Sequence, residues 1–294
     1  MQLNENPNED FLIGALIELS TELKKVDIKC IVGGGFAQHI RAKYFTAKIS
    51  PRYKFRILQR TTKDIDFFLT SDLITKSEDI ESVKGIVQKL NYKVVTKYFQ
   101  YSKQIMVGEQ IKEVGLDILT EPPKSSDIDK VRMNKPPRVR PINVKEFHAF
   151  QHNEAKGLEK YLIKVSDFVD EKDKDKFENV YIPSAIQFII MKLFAFRDRV
   201  DDELKDFGRH HAFDIFSTIV SMTEYDWANY ERKIEFYDSV LTEEAHTIVE
   251  KYFSDSEKLG VLRIRENKIY KNLSHTYDEH LNLFLEDLAT LFGV

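Results

Sequence analysis

Three aspartates lie in apolar segments, where carboxylates are uncommon. Asp64 and Asp66 stand one residue apart in "KDIDFFLT", and Asp117 follows Leu116 in "GLDIL". Side chains two residues apart on a strand point to the same side, so the first two carboxylates should lie side by side. Like charges at that spacing repel unless a cation compensates them. Mg²⁺ or Mn²⁺ prefers carboxylate oxygens and leaves positions open for substrate phosphates, and three such carboxylates suit two-metal phosphoryl or nucleotidyl transfer.

Three consecutive glycines supply a second feature with chemical meaning. Gly33, Gly34 and Gly35 stand in "IVGGGFAQHI", between a predicted strand and a predicted helix. Backbone amides at such a turn can approach phosphate oxygens, because no Cβ intervenes and the helix N-terminus lies behind them. The segment is not a P-loop, since no Gly-Lys-Ser/Thr follows, and Gln38 replaces the third glycine of a dinucleotide fingerprint. We therefore predict a phosphate-binding turn of another type.

Hydrophobic periodicity predicts the elements that must position these residues. The first half alternates helices and strands, with buried strands in "IKCIVGGG" and "KDIDFFLT" and antiparallel neighbours in 92–102, 103–110 and 112–120. The proline-containing segments 121–130 and 134–141 are predicted to be loops, and 158–169 another strand pair. Helices are predicted at 10–26, 36–45, 78–90, 183–200, 205–223, 226–236, 243–253 and 277–292.

The change of pattern near residue 180 predicts two domains. Residues 1–180 should form an α/β (α+β) core with a mixed sheet, and residues 181–294 an all-helical domain that contributes to an active-site cleft. No apolar run approaches the roughly 18 residues that a membrane span requires. The N-terminal segment lacks the pattern of a secretory signal, and Cys30 is the only cysteine. We therefore expect a cytoplasmic protein with no membrane partner.

Positive charge is concentrated in two acid-free stretches although the net charge is −4. Residues 41–63 contain eight basic residues, which are Arg41, Lys43, Lys48, Arg52, Lys54, Arg56, Arg60 and Lys63. Residues 131–145 contain five, which are Arg132, Lys135, Arg138, Arg140 and Lys145. Local positive fields on an acidic chain indicate a polyanionic partner, either nucleotide phosphates or nucleic acid. The alternative is that both stretches are solvated loops.

The combination resembles the nucleotidyltransferase superfamily, whose pattern is a glycine turn, a hydrophobic-flanked Asp-x-Asp and a later single Asp. Within it the chain is most similar to the AbiEii-type toxin nucleotidyltransferases of bacterial toxin–antitoxin and phage-defence systems. "RTTKDID" fits their Arg-x-Thr-x-Asp-h-Asp form, where h is hydrophobic, and 182–216 resembles their Lys-Leu-x-Ala…Arg…Asp segment. The resemblance covers about residues 28 to 216. The basic insert between the glycines and Asp64 is longer than the family's usual connection.

That resemblance implies a role for each candidate site residue. Asp64 and Asp66 would be metal ligands, and Asp117 a third ligand or the base for the attacking hydroxyl. Gly33 to Gly35 would bind phosphate. The remaining implied residues lie in the helical half, with Lys192 and Arg197 on the nucleoside triphosphate (NTP) and Asp214 at the far wall of the site.

The resemblance also implies an activity and partners. The chain would transfer a nucleoside monophosphate from an NTP to an acceptor hydroxyl, with Mg²⁺ or Mn²⁺ as cofactor. The acceptor would be RNA, such as a tRNA 3′ end, gripped by the basic stretches 41–63 and 131–145. A growth-arresting toxin of this kind would have a cognate antitoxin. Two alternatives stay open: nucleotidylation of a protein hydroxyl, and a non-catalytic NTP- or RNA-binding module.

Overall fold

The computed structural model describes residues 10–45, 53, 62–135, 137–233 and 239–294. These residues form an α/β protein with a mixed sheet followed by a helical region. The strands are β1 Cys30–Val32, β2 Asp64–Leu69, β3 Lys93–Thr96, β4 Gln100–Val107, β5 Gln110–Thr120, β6 Val131–Asn134, β7 Arg138–Pro141, β8 Ala149–Gln151, β9 Leu162–Lys164 and β10 Val180–Pro183. The helices are α1 Asp10–Lys24, α2 Gly34–Tyr44, α3 Ser77–Lys89, α4 Ala185–Arg197, α5 Arg209–Val220, α6 Glu224–Lys233, α7 Ser239–Phe253, α8 Leu259–Glu266, α9 Lys268–Tyr277 and α10 Leu281–Phe292.

Contacts divide the chain into two compact units. The first comprises Met1–Ala37, Thr61–Ala155 and Leu162–Ile182, and the second comprises Gln38–Arg60, Lys156–Tyr161 and Pro183–Val294. The second unit therefore includes two short pieces of chain from the α/β half as well as the C-terminal helices. Among the described residues, no helix has the length and apolar character to cross a bilayer.

The ten described strands form one sheet. Eight of them follow the order β6-β7-β8-β5-β2-β1-β10-β9, while β4 also pairs with β5, and β3 pairs with β4. β2 and β5 are parallel, as are β1 and β10, whereas β1 is antiparallel to β2. The predicted antiparallel arrangement of three neighbouring strands is confirmed, but the turns fall at 97–99 and 108–109, inside the first two predicted segments. The β3–β4 turn includes two residues with positive φ that are not glycine, Lys97 and Tyr98.

One face of this sheet is apolar and covered by helix. Ile65, Phe67 and Leu116 on that face are fully buried. The buried Lys103 of β4 also points to that side and donates to Glu18 of α1 at 2.6 Å. Because side chains alternate along a strand, the aspartates at even positions of β2 must lie on the opposite face. The amphipathic helices α1 and α3 therefore do not cover the face that carries the aspartates, which we call the carboxylate face.

The second unit has an aromatic-rich core between helices. α4 packs against α5 and α7, and α5 packs against α8 and α10. Phe216 lies at its centre, with the rings of Tyr270, Tyr277 and Phe284 within 6 Å of its own. Edge-on ring contacts of this kind stabilise a core beyond the burial of apolar area alone. Tyr53 reaches this core from the basic insert and donates to the buried Asp287 at 2.7 Å.

Several elements differ from the sequence-based predictions. Residues 134–141 were predicted to be a loop, but this prediction was wrong, because β6 and β7 form an antiparallel hairpin with Val139 fully buried. Pro137 and Pro141 are tolerated because they lie at the ends of β7 rather than within it. The strands β8 and β10 and the helices α8 and α9 were not predicted. β10 also runs across the predicted boundary at residue 180.

Candidate functional site

The three aspartates are brought together by strand register. β2 and β5 are parallel neighbours in which Asp66 lies opposite Asp117, and Asp64 lies opposite Gly115. Side chains at paired positions of adjacent strands share a face, and positions i and i+2 do so within one strand. Asp64, Asp66 and Asp117 therefore all project from one face of two neighbouring strands, as their spacing predicted.

The glycine turn lies directly against this face. The Gly33 amide donates to the Asp66 carbonyl at 2.9 Å, which ties the end of β1 to β2. Gly34 and Gly35 form the first turn of α2, and Gly34 has a φ of +58°. A Cβ on Gly34 would lie 2.6 Å from Asp66 Cγ and closer still to Oδ2. Only glycine therefore permits the carboxylate to pack on the start of this helix.

Asp64 makes the equivalent approach to the neighbouring strand. A Cβ on Gly115 would lie 2.9 Å from Asp64 Cγ, so this glycine leaves room for the carboxylate. Burial raises the pKa of Asp64 above its usual value, while Lys63 opposes the shift and Glu113 adds to it. Asp64 remains exposed as a residue, and its carboxylate loses contact with water where it packs on Gly115.

Asp117 is held by side chains of β4 and of the segment after β8. Gln100 lies opposite it in register and donates to its Oδ2 at 3.1 Å. Burial raises the pKa of Asp117, and the charge of Asp64 raises it further, while Gln100 and His152 oppose the shift. The effect of the Asp64 charge on the pKa of Asp117 agrees with the placement of both carboxylates on one face.

The donor set fits a hard divalent cation, although the side chains point in different directions. Carboxylate oxygens are the ligands that Mg²⁺ and Mn²⁺ prefer. In the described residues, no three His, Cys, Asp or Glu side chains converge as a metal site requires. Asp66 instead faces Gly34, Asp64 faces Gly115 and Asp117 faces Gln100. Rotation about the aspartate χ angles is needed to make them converge.

The turn that positions Gln100 was not predicted to be part of the site. Lys97 and Tyr98 have φ of +42° and +63°, a conformation that costs free energy for residues with a Cβ. His148 holds both residues, because its amide donates to the Tyr98 carbonyl at 2.8 Å and its Nδ1 lies 3.1 Å from the Lys97 carbonyl. Arg138 also donates to the Lys97 carbonyl. A strained turn held from several sides is a feature of functional sites.

In the second unit, Lys192 and Asp214 form a buried ion pair. Lys192 Nζ lies 2.8 Å from Asp214 Oδ2, and their side chains are 7% and 1% exposed. Gln38, which stands where a dinucleotide fingerprint has its third glycine, donates from Nε2 to the Asp214 carbonyl at 2.9 Å. The same amide contacts the hydroxyls of Ser217 and Thr218. Two implied site residues therefore sit in a polar network on α4, α5 and α2.

The third implied residue of the helical half has other contacts. Arg197 donates to Asp198 at 2.8 Å and pairs with Glu244 of α7. Two carboxylates therefore neutralise its guanidinium. Hydrogen bonds to them raise its pKa against the effect of burial. Its implied contact with a triphosphate would require at least one of these pairs to open.

The described residues of the two basic stretches include both buried and exposed cations. Arg41 is 5% exposed and pairs with Asp226 at 2.6 Å, so it is a buried structural residue. Arg140 donates to three backbone carbonyls at the end of β7 and just after it. Arg132, Lys135 and Lys145 are exposed. Five of the predicted basic residues lie outside the described part of the chain, and these are Lys48, Arg52, Lys54, Arg56 and Arg60.

Comparison with known proteins does not assign the chain to a family. No protein-family model, no curated protein and no solved structure matches it.

Proposed function

We propose that this chain is a metal-dependent nucleotidyltransferase that moves a nucleoside monophosphate from an NTP to an acceptor hydroxyl, with RNA as the acceptor. The proposal includes a nucleotidyltransferase fold for the first unit. It rests on the resemblance to AbiEii-type toxins and on the geometry of the carboxylate face.

One observation carries the proposal. Asp64, Asp66 and Asp117 project from one face of two parallel strands, and Asp66 packs against Gly34 at the start of α2. A carboxylate cluster beside a glycine-initiated helix places anion-binding amides next to cation-binding oxygens. A nucleoside triphosphate with its divalent cation needs both. An ordinary edge of a sheet needs neither.

The chain's own groups would perform distinct tasks. Amides at the start of α2 would orient the triphosphate, which is the positioning effect that dominates phosphoryl-transfer chemistry. Asp64 and Asp66 would hold Mg²⁺ or Mn²⁺, and Asp117 would be the third ligand or accept the proton of the acceptor hydroxyl. The bound metal would neutralise developing charge on the phosphates. The acceptor oxygen forms a bond to the α-phosphorus, the bond to the β-phosphate oxygen breaks, and pyrophosphate leaves.

The test is transfer of label from each of four α-³²P-labelled NTPs. Wild-type protein, Asp66→Asn and the control Asp72→Asn are incubated with Mg²⁺, total RNA and lysate protein, and the products are separated on gels. Asp72 is an exposed carboxylate just after β2 that pairs with Lys76, so its replacement removes the same charge outside the site. We expect a labelled RNA band with wild type and the control that disappears with Asp66→Asn.

Each other outcome changes the proposal in a defined way. Label on a protein band that depends on Asp66 would replace RNA by a protein hydroxyl as the acceptor. No Asp66-dependent label from any NTP would overturn the enzymatic reading and favour a non-catalytic NTP- or RNA-binding module. A toxin role further requires that induced wild-type protein arrests bacterial growth and that Asp66→Asn does not.

A further inference from the structure

An aromatic cluster lies beside Asp117 and takes no part in the proposed transfer itself. Phe150 of β8 lies 5.1 Å from the ring centroid of Phe99 and 4.7 Å from that of His152. All three side chains are half-buried, so part of the ring surface is exposed to solvent. Aromatic residues in the core of a sheet are normally covered, and the nearby Tyr101 and Phe147 are buried in this way. We call Phe99, Phe150 and His152 the aromatic cluster.

Register places Phe150 on the carboxylate face, and ring contacts place Phe99 and His152 beside it. Phe150 lies opposite Leu119, which is two residues after Asp117 on β5 and therefore on the same face. Phe99 lies in the turn before β4, and its ring contacts that of Phe150. His152 lies near enough to Asp117 to affect the pKa of that carboxyl. The exposed ring surface is therefore next to the position where the acceptor hydroxyl is expected.

Hydrogen bonds to the backbone around Phe99 hold this part of the aromatic cluster in place. The strained Lys97–Tyr98 turn immediately precedes Phe99, and both of its carbonyls accept hydrogen bonds from His148. The Phe99 carbonyl accepts from the Ile118 amide at 2.8 Å, which ties it to β5 next to Asp117. A ring held in place before binding loses little conformational freedom when a ligand stacks on it.

Positive charge continues from the aromatic cluster along the sheet. Arg138 lies opposite Phe150 on the adjacent strand β7, and Arg132 lies opposite Arg140 on β6. Arg132 and Lys135 are exposed at this edge. A row of cations beside stacking rings is the arrangement with which proteins bind single-stranded nucleic acid.

We propose that the aromatic cluster stacks the 3′-terminal base of a single-stranded RNA acceptor, while the exposed cations Arg132 and Lys135 contact its phosphates. This inference rests on the proposed transfer to RNA. The group that the aromatic cluster would bind is a nucleobase ring, which the incoming NTP also carries. The cations beside the aromatic cluster extend away from Asp117 over two strands, and a polynucleotide chain matches that extent better than one nucleotide does.

The test uses Phe150→Leu, which keeps apolar volume but removes the aromatic ring, and the control Tyr181→Leu, which removes a half-buried ring from β10. Binding of a labelled single-stranded oligoribonucleotide is measured without NTP across a salt series. Loss of one stacked base weakens binding roughly 5- to 100-fold. We expect this loss with Phe150→Leu at every salt concentration and an unchanged slope of log K against log salt. Arg132→Gln should instead reduce the slope, because it removes a phosphate contact.

A fluorescent variant reports stacking directly. Trp227 is the only tryptophan, so Phe150→Trp in a Trp227→Phe background places the single indole in the aromatic cluster. We expect the oligoribonucleotide to quench it, and the same oligonucleotide with an abasic 3′ end to quench it far less. Equal quenching by both, or unchanged affinity of Phe150→Leu, would overturn the inference.

The two proposals fail separately. If wild type transfers label to RNA but Phe150→Leu binds RNA normally, the transferase stands and the stacking site does not. If wild type transfers no label but the abasic end abolishes quenching, base stacking stands on a non-catalytic RNA-binding protein. A raised KM for NTP in Phe150→Leu with a normal KM for RNA would assign the base to the incoming nucleotide and overturn the acceptor assignment.

Discussion

The carboxylate of Asp66 packs on the α-carbon of Gly34, with no room for a Cβ between them. Gly34 also has a φ of +58°, so both its conformation and its surroundings require glycine. The contact joins the first turn of α2 to the strand that carries two of the three carboxylates. The glycine triplet is therefore part of the carboxylate site and more than a connection between β1 and α2.

Gly34→Ala should destabilise the protein. The left-handed conformation costs a residue with a Cβ roughly 1–2 kcal/mol, and overlap with Asp66 adds a cost of the kind seen on overpacking, about 1–3 kcal/mol. We expect urea denaturation to show a free energy of unfolding lower by about 2–4 kcal/mol. Gly14→Ala is the matched control, since Gly14 is an exposed helical residue with nothing within 4 Å of an added Cβ. That change should stabilise by up to about 1 kcal/mol.

The double variant Gly34→Ala/Asp66→Ala separates the two costs. Asp66→Ala removes the carboxylate that the added Cβ would meet, so the combined loss should be smaller than the sum of the single losses. The strain of the positive φ should remain. Additive losses would mean that Asp66 does not pack on Gly34 in solution.

The carboxylate face could be predicted from the sequence because it depends on simple periodicity. Asp64 and Asp66 share a face by their spacing alone, and a third aspartate in an apolar strand had only to pair with that strand. The residues that contact Asp64 and Asp117 could not be predicted. Gly115 and Gln100 are ordinary strand residues in the sequence, and only register places them against Asp64 and Asp117.

Buried charges were also beyond sequence reasoning. Arg41 and Lys192 carry the same formal charge as exposed residues nearby, and their roles depend on Asp226 and Asp214, which are distant in sequence. The β6–β7 hairpin was missed because prolines dominated the local pattern. Prolines at strand ends do not interrupt hydrogen bonding, and this depends on where the strand ends rather than on composition.

Lys192→Met should destabilise the second unit strongly. It leaves the carboxylate of Asp214 buried without its cation, and breaking a buried pair from one side costs about 3–5 kcal/mol. Replacement of both partners, in Lys192→Met/Asp214→Leu, should restore most of that loss because no buried charge remains. Denaturation curves of the three proteins test this directly, and an equally unstable double variant would contradict it.

The stability-restored double variant then tests the implied role of Lys192. If Lys192 contacts the triphosphate as the resemblance implies, this variant should fold but bind NTP weakly in equilibrium dialysis. Normal NTP binding by the folded double variant would assign the Lys192–Asp214 pair to structure alone. The comparison is clean because loss of binding cannot then be attributed to unfolding.

Arg41→Met should behave as a core substitution although Arg41 begins a basic stretch. Its guanidinium pairs with Asp226, which also accepts from the amide and hydroxyl of Thr223 at the start of α6. We expect a loss of about 3–5 kcal/mol in the free energy of unfolding. Lys43→Met, at an exposed position of the same helix, should change it by less than about 0.5 kcal/mol. Equal effects of the two changes would contradict the assignment of Arg41 as structural.

His148 should make the first unit less stable at mildly acidic pH. Burial lowers the pKa of His148 below its usual 6.5, and the charges of Arg138 and Arg140 lower it further, although the hydrogen bond to the Lys97 carbonyl opposes the shift. The unfolded chain therefore binds a proton on His148 near pH 6.5, whereas the folded chain binds it only at lower pH. Stability from neutral His148 is thus fully present above the unfolded pKa and is lost as pH falls towards the folded pKa.

The measurement is the free energy of unfolding of wild type and His148→Gln from about pH 7.5 to about pH 5. Glutamine can still donate to the Lys97 carbonyl but does not titrate, so the variant should lose less stability over this range. His275→Gln is the control, because His275 is exposed on α9 in the other unit. Its profile should follow wild type. If His148→Gln also follows wild type, the imidazole does not titrate abnormally, and the strained Lys97–Tyr98 turn is held independently of the protonation state of His148.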